Sequence, residues 1–302
     1  MDVAAVGSAP VVRGVAHRSA PRPEENQVDP RNRLNDLTNR EWLLATKSVW
    51  FSISPPRDPL KARHPATFSE ADVARAIRFF TKRGGWVIDP FVGSGSTLVA
   101  CAETGRNGLG IELCAQWAET ANERVRRALE RQRERGACEL SLQVVQGDSR
   151  AIIGTLEHER FNFLITSPPY WRILNKRPGQ KQRRERECKG LPTHYSDDGD
   201  DLGNIDSYEG FLDSLQQVFA GALPLLRPGA YACVIVSDFR HGPEYYDYHS
   251  DVTRLMRAAG YILEGITILA QDNKNLYAYG RPYRFVPNVH HQYLLLFSRP
   301  RD

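Results

Sequence analysis

The sequence predicts an α/β domain: a mostly parallel sheet with helices on both faces and an antiparallel pair of strands at one edge. Three observations predict it. From Phe68 onward, short apolar runs alternate with segments of helical period. A glycine-bearing turn, residues 89–97, joins one apolar run directly to a helical segment. The last two apolar runs, 262–269 and 292–297, have no helical segment between them. Strand–helix alternation is the pattern of parallel sheets with crossover helices, whereas strands joined without a helix return antiparallel.

Residues 1–35 mix Ala, Gly, Pro, Arg and Asn without a period, and Pro21, Pro23 and Pro30 interrupt any element there. They are expected to form a disordered tail ahead of one domain over 36–302. Thr38, with Glu41 three residues on, has the spacing of a capping box and predicts a short helix carrying Trp42, Leu43 and Leu44. An extended, proline-punctuated stretch follows over 50–65. Helices are then expected over 70–82, 96–103, 115–135, 208–223 and 250–259. Strands are expected over 86–88, 108–111, 140–145, 161–165, 231–236, 262–269 and 292–297. One long polar stretch, 171–206, breaks the rhythm; it begins basic (Arg172 to Lys189) and ends acidic (Asp197 to Asp206). An insertion of that length is a candidate target-recognition region.

Composition narrows the class only broadly. The 302 residues carry ordinary apolar and charged fractions and a formal charge of +4, which suits a nucleic-acid partner and many other enzymes equally. The five cysteines form no CxxC pair and no Cys/His cluster at zinc spacing, so they read as reduced thiols with no metal. No apolar run approaches the roughly 20 residues that span a bilayer, and the expectation is a cytoplasmic protein without a membrane partner.

Chemistry concentrates at strand ends. In Asp89-Pro90-Phe91-Val92-Gly93-Ser94-Gly95-Ser96-Thr97 the glycines allow close backbone approach, and the helix N-terminus that follows offers unpaired N–H groups to a negative group. An ordinary glycine-rich turn would look the same, and Leu98 stands where a dinucleotide fold wants Gly or Ala. Glu112 ends the next strand, where a carboxylate can accept from both ribose hydroxyls. Asp148 ends the third, placed either to meet an adenine amino group or to cap a helix. The fourth strand runs into Thr166-Ser167-Pro168-Pro169-Tyr170: two oxygen acceptors, from the Ser167 side chain and the Pro168 carbonyl, a stiff Pro169 and a flat Tyr170 face. Such a loop suits an amine whose lone pair must be freed from a base ring. Ser54-Pro55-Pro56 imitates it without an aromatic, before the glycine turn and not after a core strand. No cysteine follows a proline, so no thiolate nucleophile accompanies such a loop.

These motifs, DPFVGSGST, Gly110-Ile111-Glu112 and TSPPY in that order, resemble the signature of the S-adenosylmethionine-dependent amino-group (cytosine-N4 or adenine-N6) DNA methyltransferases. The resemblance implies a Rossmann-like class I methyltransferase fold with a seven-stranded sheet. It implies that Asp89, Phe91, Gly93, Ser94, Gly95 and Thr97 surround the methionine end of the cofactor, with Glu112 at the ribose and Asp148 at the adenine. His64-Pro65-Ala66-Thr67-Phe68 is similar to the family's methionine-side motif, which would add Thr67 and Phe68. It further implies duplex DNA as partner, with the target base flipped onto Tyr170. Ser167 as first loop residue favours cytosine N4, with adenine N6 as the alternative; an RNA methyltransferase and a non-catalytic relative are further alternatives. The motif order suggests a stand-alone methylase of restriction–modification type rather than a fused restriction enzyme. The basic run after Tyr170 reads either as phosphate contacts or as solvated surface. The aromatics and arginines of 277–284 read either as a stacking surface or as a plain hairpin connection. His290-His291 lack a third ligand.

Overall fold

A computed structural model describes residues 26–53, 60, 69–136, 138–172, 199–272 and 274–301. Thr67, Phe68, Ser54-Pro55-Pro56, the basic run beyond Arg172 and the first 25 residues lie outside them.

Ten strands and seven α-helices are described. In chain order they are α1 (Asn39–Ala45), β1 (Val49–Phe51), α2 (Glu70–Phe80), β2 (Trp86–Asp89), α3 (Ser96–Thr104), β3 (Asn107–Glu112), α4 (Ala115–Glu134), β4 (Leu142–Gln146) and α5 (Ser149–Ile152). There follow β5 (Phe161–Thr166), α6 (Tyr208–Ala222), β6 (Leu226–Val236), β7 (Phe239–His241), β8 (Glu244–Tyr246), α7 (Tyr248–Ala258), β9 (Ile262–Ala270) and β10 (His291–Ser298). Eight strands form one sheet in the order β1-β9-β10-β6-β5-β2-β3-β4. From β6 through β4 every pairing is parallel, while β10 runs antiparallel to both β6 and β9.

The expected class is therefore present, with one strand more than seven. Val49–Phe51 pairs in parallel outside β9, so the β9–β10 pair sits one strand in from the edge. Three residues are too few to display a period. Trp50 is nevertheless buried, with the Arg75 guanidinium 3.8 Å from its ring centroid. The small β7–β8 hairpin was also not expected; it turns at Gly242 with φ +61°.

The central strands read as continuous apolar runs because helices cover both faces. Ile88, Leu164 and Val234 point to the face under α6 and α7, packing with Phe211, Leu215, Phe219 and Tyr248. Their neighbours Val87, Phe163, Ile165, Cys233 and Ile235 point to the other face, packing with Ile77 and Phe80 of α2. This is the two-residue alternation of a pleated strand.

The capping box on α1 forms as its spacing predicts: Thr38 Oγ1 accepts from Glu41 N at 3.2 Å and the Glu41 carboxylate accepts from Thr38 N at 2.8 Å. Ordered contacts begin before that helix, inside the segment expected as tail. Asn35 is fully buried and its amide donates to the Phe79 carbonyl at 2.7 Å. Among the described residues no helix is long and apolar enough to cross a membrane, no His/Cys/Asp/Glu group could hold a metal ion, and Cys101, Cys114, Cys138 and Cys233 are free thiols.

Candidate active site

The sheet sets the site by its topology. The chain moves outward from β2 through β3 to β4, then returns to β5 on the other side of β2 and continues to β6. Ligands of open α/β sheets bind at such a reversal, beyond the carboxyl ends of the strands. Here the two strands at the reversal end in Asp89 and Thr166, and Thr166 Oγ1 donates to Asp89 Oδ1 at 2.6 Å. The glycine turn and the Ser-Pro-Pro-Tyr loop thus start from adjacent, bonded positions although 77 residues separate them.

Asp89 is fully buried and fastens three elements. Besides Thr166 it accepts from Thr97 Oγ1 on α3 at 2.5 Å and from Phe91 N at 3.0 Å. Burial pushes its carboxyl up to about 6, against the lowering effect of these hydrogen bonds. Ser94 and Thr97 are buried as well. The Ser94 carbonyl is held by Arg124 of α4, which also pairs with Glu70 at the start of α2. These residues shape the turn from within. Gly93 (φ +54°) and Gly95 (φ +83°) give it its path; a Cβ on Gly95 would lie 3.0 Å from that of Ala121.

Glu112 closes the other side of the turn. Its two oxygens accept from Gly93 N and Cys114 N, each at 2.9 Å, which leaves further lone pairs on the carboxylate. Burial pushes its carboxyl up to about 7; the two backbone hydrogen bonds lower it and the charges of Asp201 and Asp89 raise it further. A ligand donating hydroxyls to this group would stabilise its ionised form.

Asp148 adopts the capping alternative. It accepts from Arg150 N at 2.9 Å, and its carboxylate is paired with the Arg150 guanidinium at 2.8 Å. Arg150 in turn reaches Asp200 at 3.1 Å. Asp148 is thus already shared between a helix cap and the Arg150 guanidinium. The described end of the long polar stretch packs between Arg150 and the residues after Tyr170: Leu202 is buried, Asp201 caps Gly203 N at 2.8 Å, and Arg172 meets Asp206 at 3.3 Å. Ser149, not singled out from sequence, donates to the Pro90 carbonyl at 2.5 Å and ties the end of β4 to the glycine turn.

The Ser-Pro-Pro-Tyr loop is anchored from behind. Tyr170 Oη accepts from Ser237 N at 2.8 Å and also bonds the Gln292 side chain; burial pushes its phenol far up, so it stays protonated. Its ring packs on Tyr248 (5.3 Å) and edge-on to Phe239 (5.8 Å). Tyr248 Oη donates to the Pro169 carbonyl at 2.9 Å. Trp171 Nε1 donates to the Ile205 carbonyl at 2.9 Å. Neither the Ser167 hydroxyl nor the Pro168 carbonyl is hydrogen bonded among the described residues, so both acceptors remain available. Sequence reasoning missed the supports Ser237, Phe239 and Tyr248. The one signal for them was a polar pair, Ser237-Asp238, ending an apolar strand as Asp89 and Thr166 end theirs.

Residues 17–123 match the model of a DNA methylase family. A type II methyltransferase of Serratia marcescens, M.SmaI, is 40% identical over 70 residues, covering 23% of this chain and 24% of that protein. M.BglI of Bacillus subtilis is 32% identical over 105 residues, 34% of this chain and 28% of that one. The chain thus spans about a quarter of the length of the curated relatives it matches. A TehB-like SAM-dependent methyltransferase from Corynebacterium glutamicum superposes loosely, with a TM-score of 0.43 and 13% identity over 80% of this chain and 92% of that one. The family match takes in the glycine turn and Glu112, the half of the site that Thr166 joins to the Ser-Pro-Pro-Tyr loop. Over this part the chain is similar to the DNA methylase family.

Proposed function

We propose that the protein transfers the methyl group of S-adenosylmethionine to the exocyclic amine of a flipped DNA base, cytosine N4 by preference. The observation that carries this reading is the pair of available acceptors, Ser167 Oγ and the Pro168 carbonyl, on a loop bonded to the end of the glycine turn.

The residues present fit the cofactor. Glu112 keeps acceptor capacity for a ribose diol, and Gly93, half-buried at φ +54°, leaves the turn backbone open to close approach where a side chain would be strained. Gly93, Gly95, Phe91 and Glu112 would line it, with Asp89, Ser94 and Thr97 holding them in place. Asp148 would reach an adenine only by sharing its carboxylate with Arg150. Thr67 and Phe68 would complete the methionine side. When bound, the cofactor supplies an electrophilic methyl; the remaining work falls to the chain.

That work is to hold and prepare the amine. An aromatic amine is a poor nucleophile because its lone pair is delocalised into the ring. Two acceptors on its hydrogens favour the pyramidal nitrogen that develops during transfer, and they need no reorganisation because the loop is anchored. Tyr170, fixed at its hydroxyl by Ser237, offers its ring to the extruded base. Ser167, in place of an acidic or amide first residue, favours cytosine; adenine N6 uses the same contacts and is the second reading.

Methyl transfer from labelled S-adenosylmethionine to genomic DNA tests this directly. The Tyr170→Ala variant is expected to lose about 10²-fold or more in kcat while its cofactor affinity stays within a factor of two or so, because positioning and stacking act on the base alone. Full activity in that variant removes the stacking role.

A further inference from the structure

The β9–β10 connection, residues 271–290, carries large aromatic side chains into solvent. Tyr283 is 93% exposed and Phe285 89%, with Leu276, Tyr277 and Tyr279 exposed beside them. The connection is nonetheless built. The Asn288 side chain brackets Tyr277, accepting from its N–H at 2.9 Å and donating to its carbonyl at 2.8 Å. Tyr283 N and Arg284 N both donate to the Gly280 carbonyl, at 2.8 and 2.9 Å. Gly280 has φ +75°, and a Cβ there would lie 2.5 Å from the Arg284 carbonyl oxygen, so the tip conformation requires glycine.

Its position is set by the sheet. Because β10 is antiparallel to β6 and β9, the connection leaves from the same end as the Ser-Pro-Pro-Tyr loop. Ser237 links the two: its N–H donates to Tyr170 Oη, and its hydroxyl donates to the His291 carbonyl at 2.7 Å. Charge is mostly positive: Lys274, Arg281 and Arg284 lie within the connection against one acid, Asp272 at its start, and no Asp or Glu follows from 273 to 301. Neither Arg281 nor Arg284 enters an ion pair among the described residues.

We propose that this tip is a wedge for duplex DNA, with Tyr283 and Phe285 stacking in the gap that opens when a base leaves the duplex and Arg281 and Arg284 neutralising the flanking phosphates. The inference rests on the reading that the site acts on a flipped base. Extrusion removes stacking on both neighbours of the base, and apolar side chains inserted between base steps restore it. The polyanion is the partner that both the cationic charge and the exposed rings fit.

The test uses the full chain and fluorescein-labelled short duplexes, one intact and one with a central abasic gap, followed by anisotropy. The wild-type protein is expected to bind the gapped duplex about tenfold or more tighter, because the cost of opening the stack has been removed. Tyr283→Ala combined with Phe285→Ala should abolish that preference without changing cofactor affinity or thermal stability, and Tyr283→Trp should keep it. Arg281→Gln combined with Arg284→Gln should leave the preference intact and flatten the salt dependence by about two phosphate contacts. An unchanged gap preference in the aromatic double variant overturns the wedge, as does tighter binding of single-stranded RNA than of the gapped duplex. Failure of the wild-type protein to methylate any DNA, with the aromatic-dependent gap preference retained, would instead count against the proposed reaction.

Discussion

With Glu112 at the ribose, as proposed, its acid–base chemistry is linked to cofactor binding. Its carboxyl sits near 7 in the free protein, and hydroxyl donors favour its ionised form. Cofactor affinity is therefore expected to rise with pH up to about 7 and to fall about tenfold per pH unit below it. Calorimetric titration between pH 5 and 8 checks this, and Glu112→Gln should flatten the profile at a uniformly weaker affinity. Stability runs in the opposite sense. Asp89 and Glu112 both have folded values above their ordinary ones, so the folded protein retains protons that the unfolded chain loses. Their contribution is fully present at pH below about 4 and is lost as pH rises through about 6 for Asp89 and about 7 for Glu112. In thermal unfolding without cofactor, the melting point of wild type relative to Glu112→Gln should fall between pH 4 and pH 8, the amide losing one backbone hydrogen bond at every pH; a relative rise would contradict the sign. The sequence made Glu112 legible because strand ends are where such folds place acidic ligands. It could not show that Asp148 is held by Arg150, since Arg150 is itself drawn toward Asp200, 50 residues away.

At the scale of elements, the glycine turn depends on what lies beneath it. A Cβ on Gly110 of β3 would fall 2.6 Å from the Val92 side chain, which is buried and whose N–H donates to the Ile111 carbonyl at 2.9 Å. Gly110→Ala is expected to cost about 1–3 kcal/mol by overpacking and to weaken cofactor binding by lifting the turn, measurable as paired shifts in denaturation midpoint and cofactor affinity. Thr38→Ala, which removes the capping box of α1 far from the site, should cost about 1 kcal/mol and leave cofactor affinity unchanged. Element types followed from pattern where both faces of a strand are packed, as in 161–166 and 231–236. They did not where an element is short, like β1, or where its side chains mix polar and aromatic groups, like Phe239–His241 and Glu244–Tyr246. Those last elements support the Ser-Pro-Pro-Tyr loop, so the missed pieces of the fold and of the candidate site coincide. Phe239 packs on Tyr170, and the strand register that brings it there depends on contacts remote in sequence.

Across the whole molecule, the reversal of strand order brings two loops together that neither could use alone. Asp89 accepts from both Thr97 and Thr166, making one fastening of the cofactor side and the base side. The described end of the 171–206 stretch returns to the end of β4, where Asp200 meets Arg150 at 3.1 Å. As proposed, the joined loops methylate a base amine. Genomic DNA incubated with the protein and isotope-labelled S-adenosylmethionine, digested to nucleosides and resolved by mass spectrometry, tests it most directly. Label in N4-methylcytosine, lost in Tyr170→Ala and reduced about 10²-fold in Ser167→Ala, is the predicted result. Label in 5-methylcytosine, or no label in any DNA base, would contradict it.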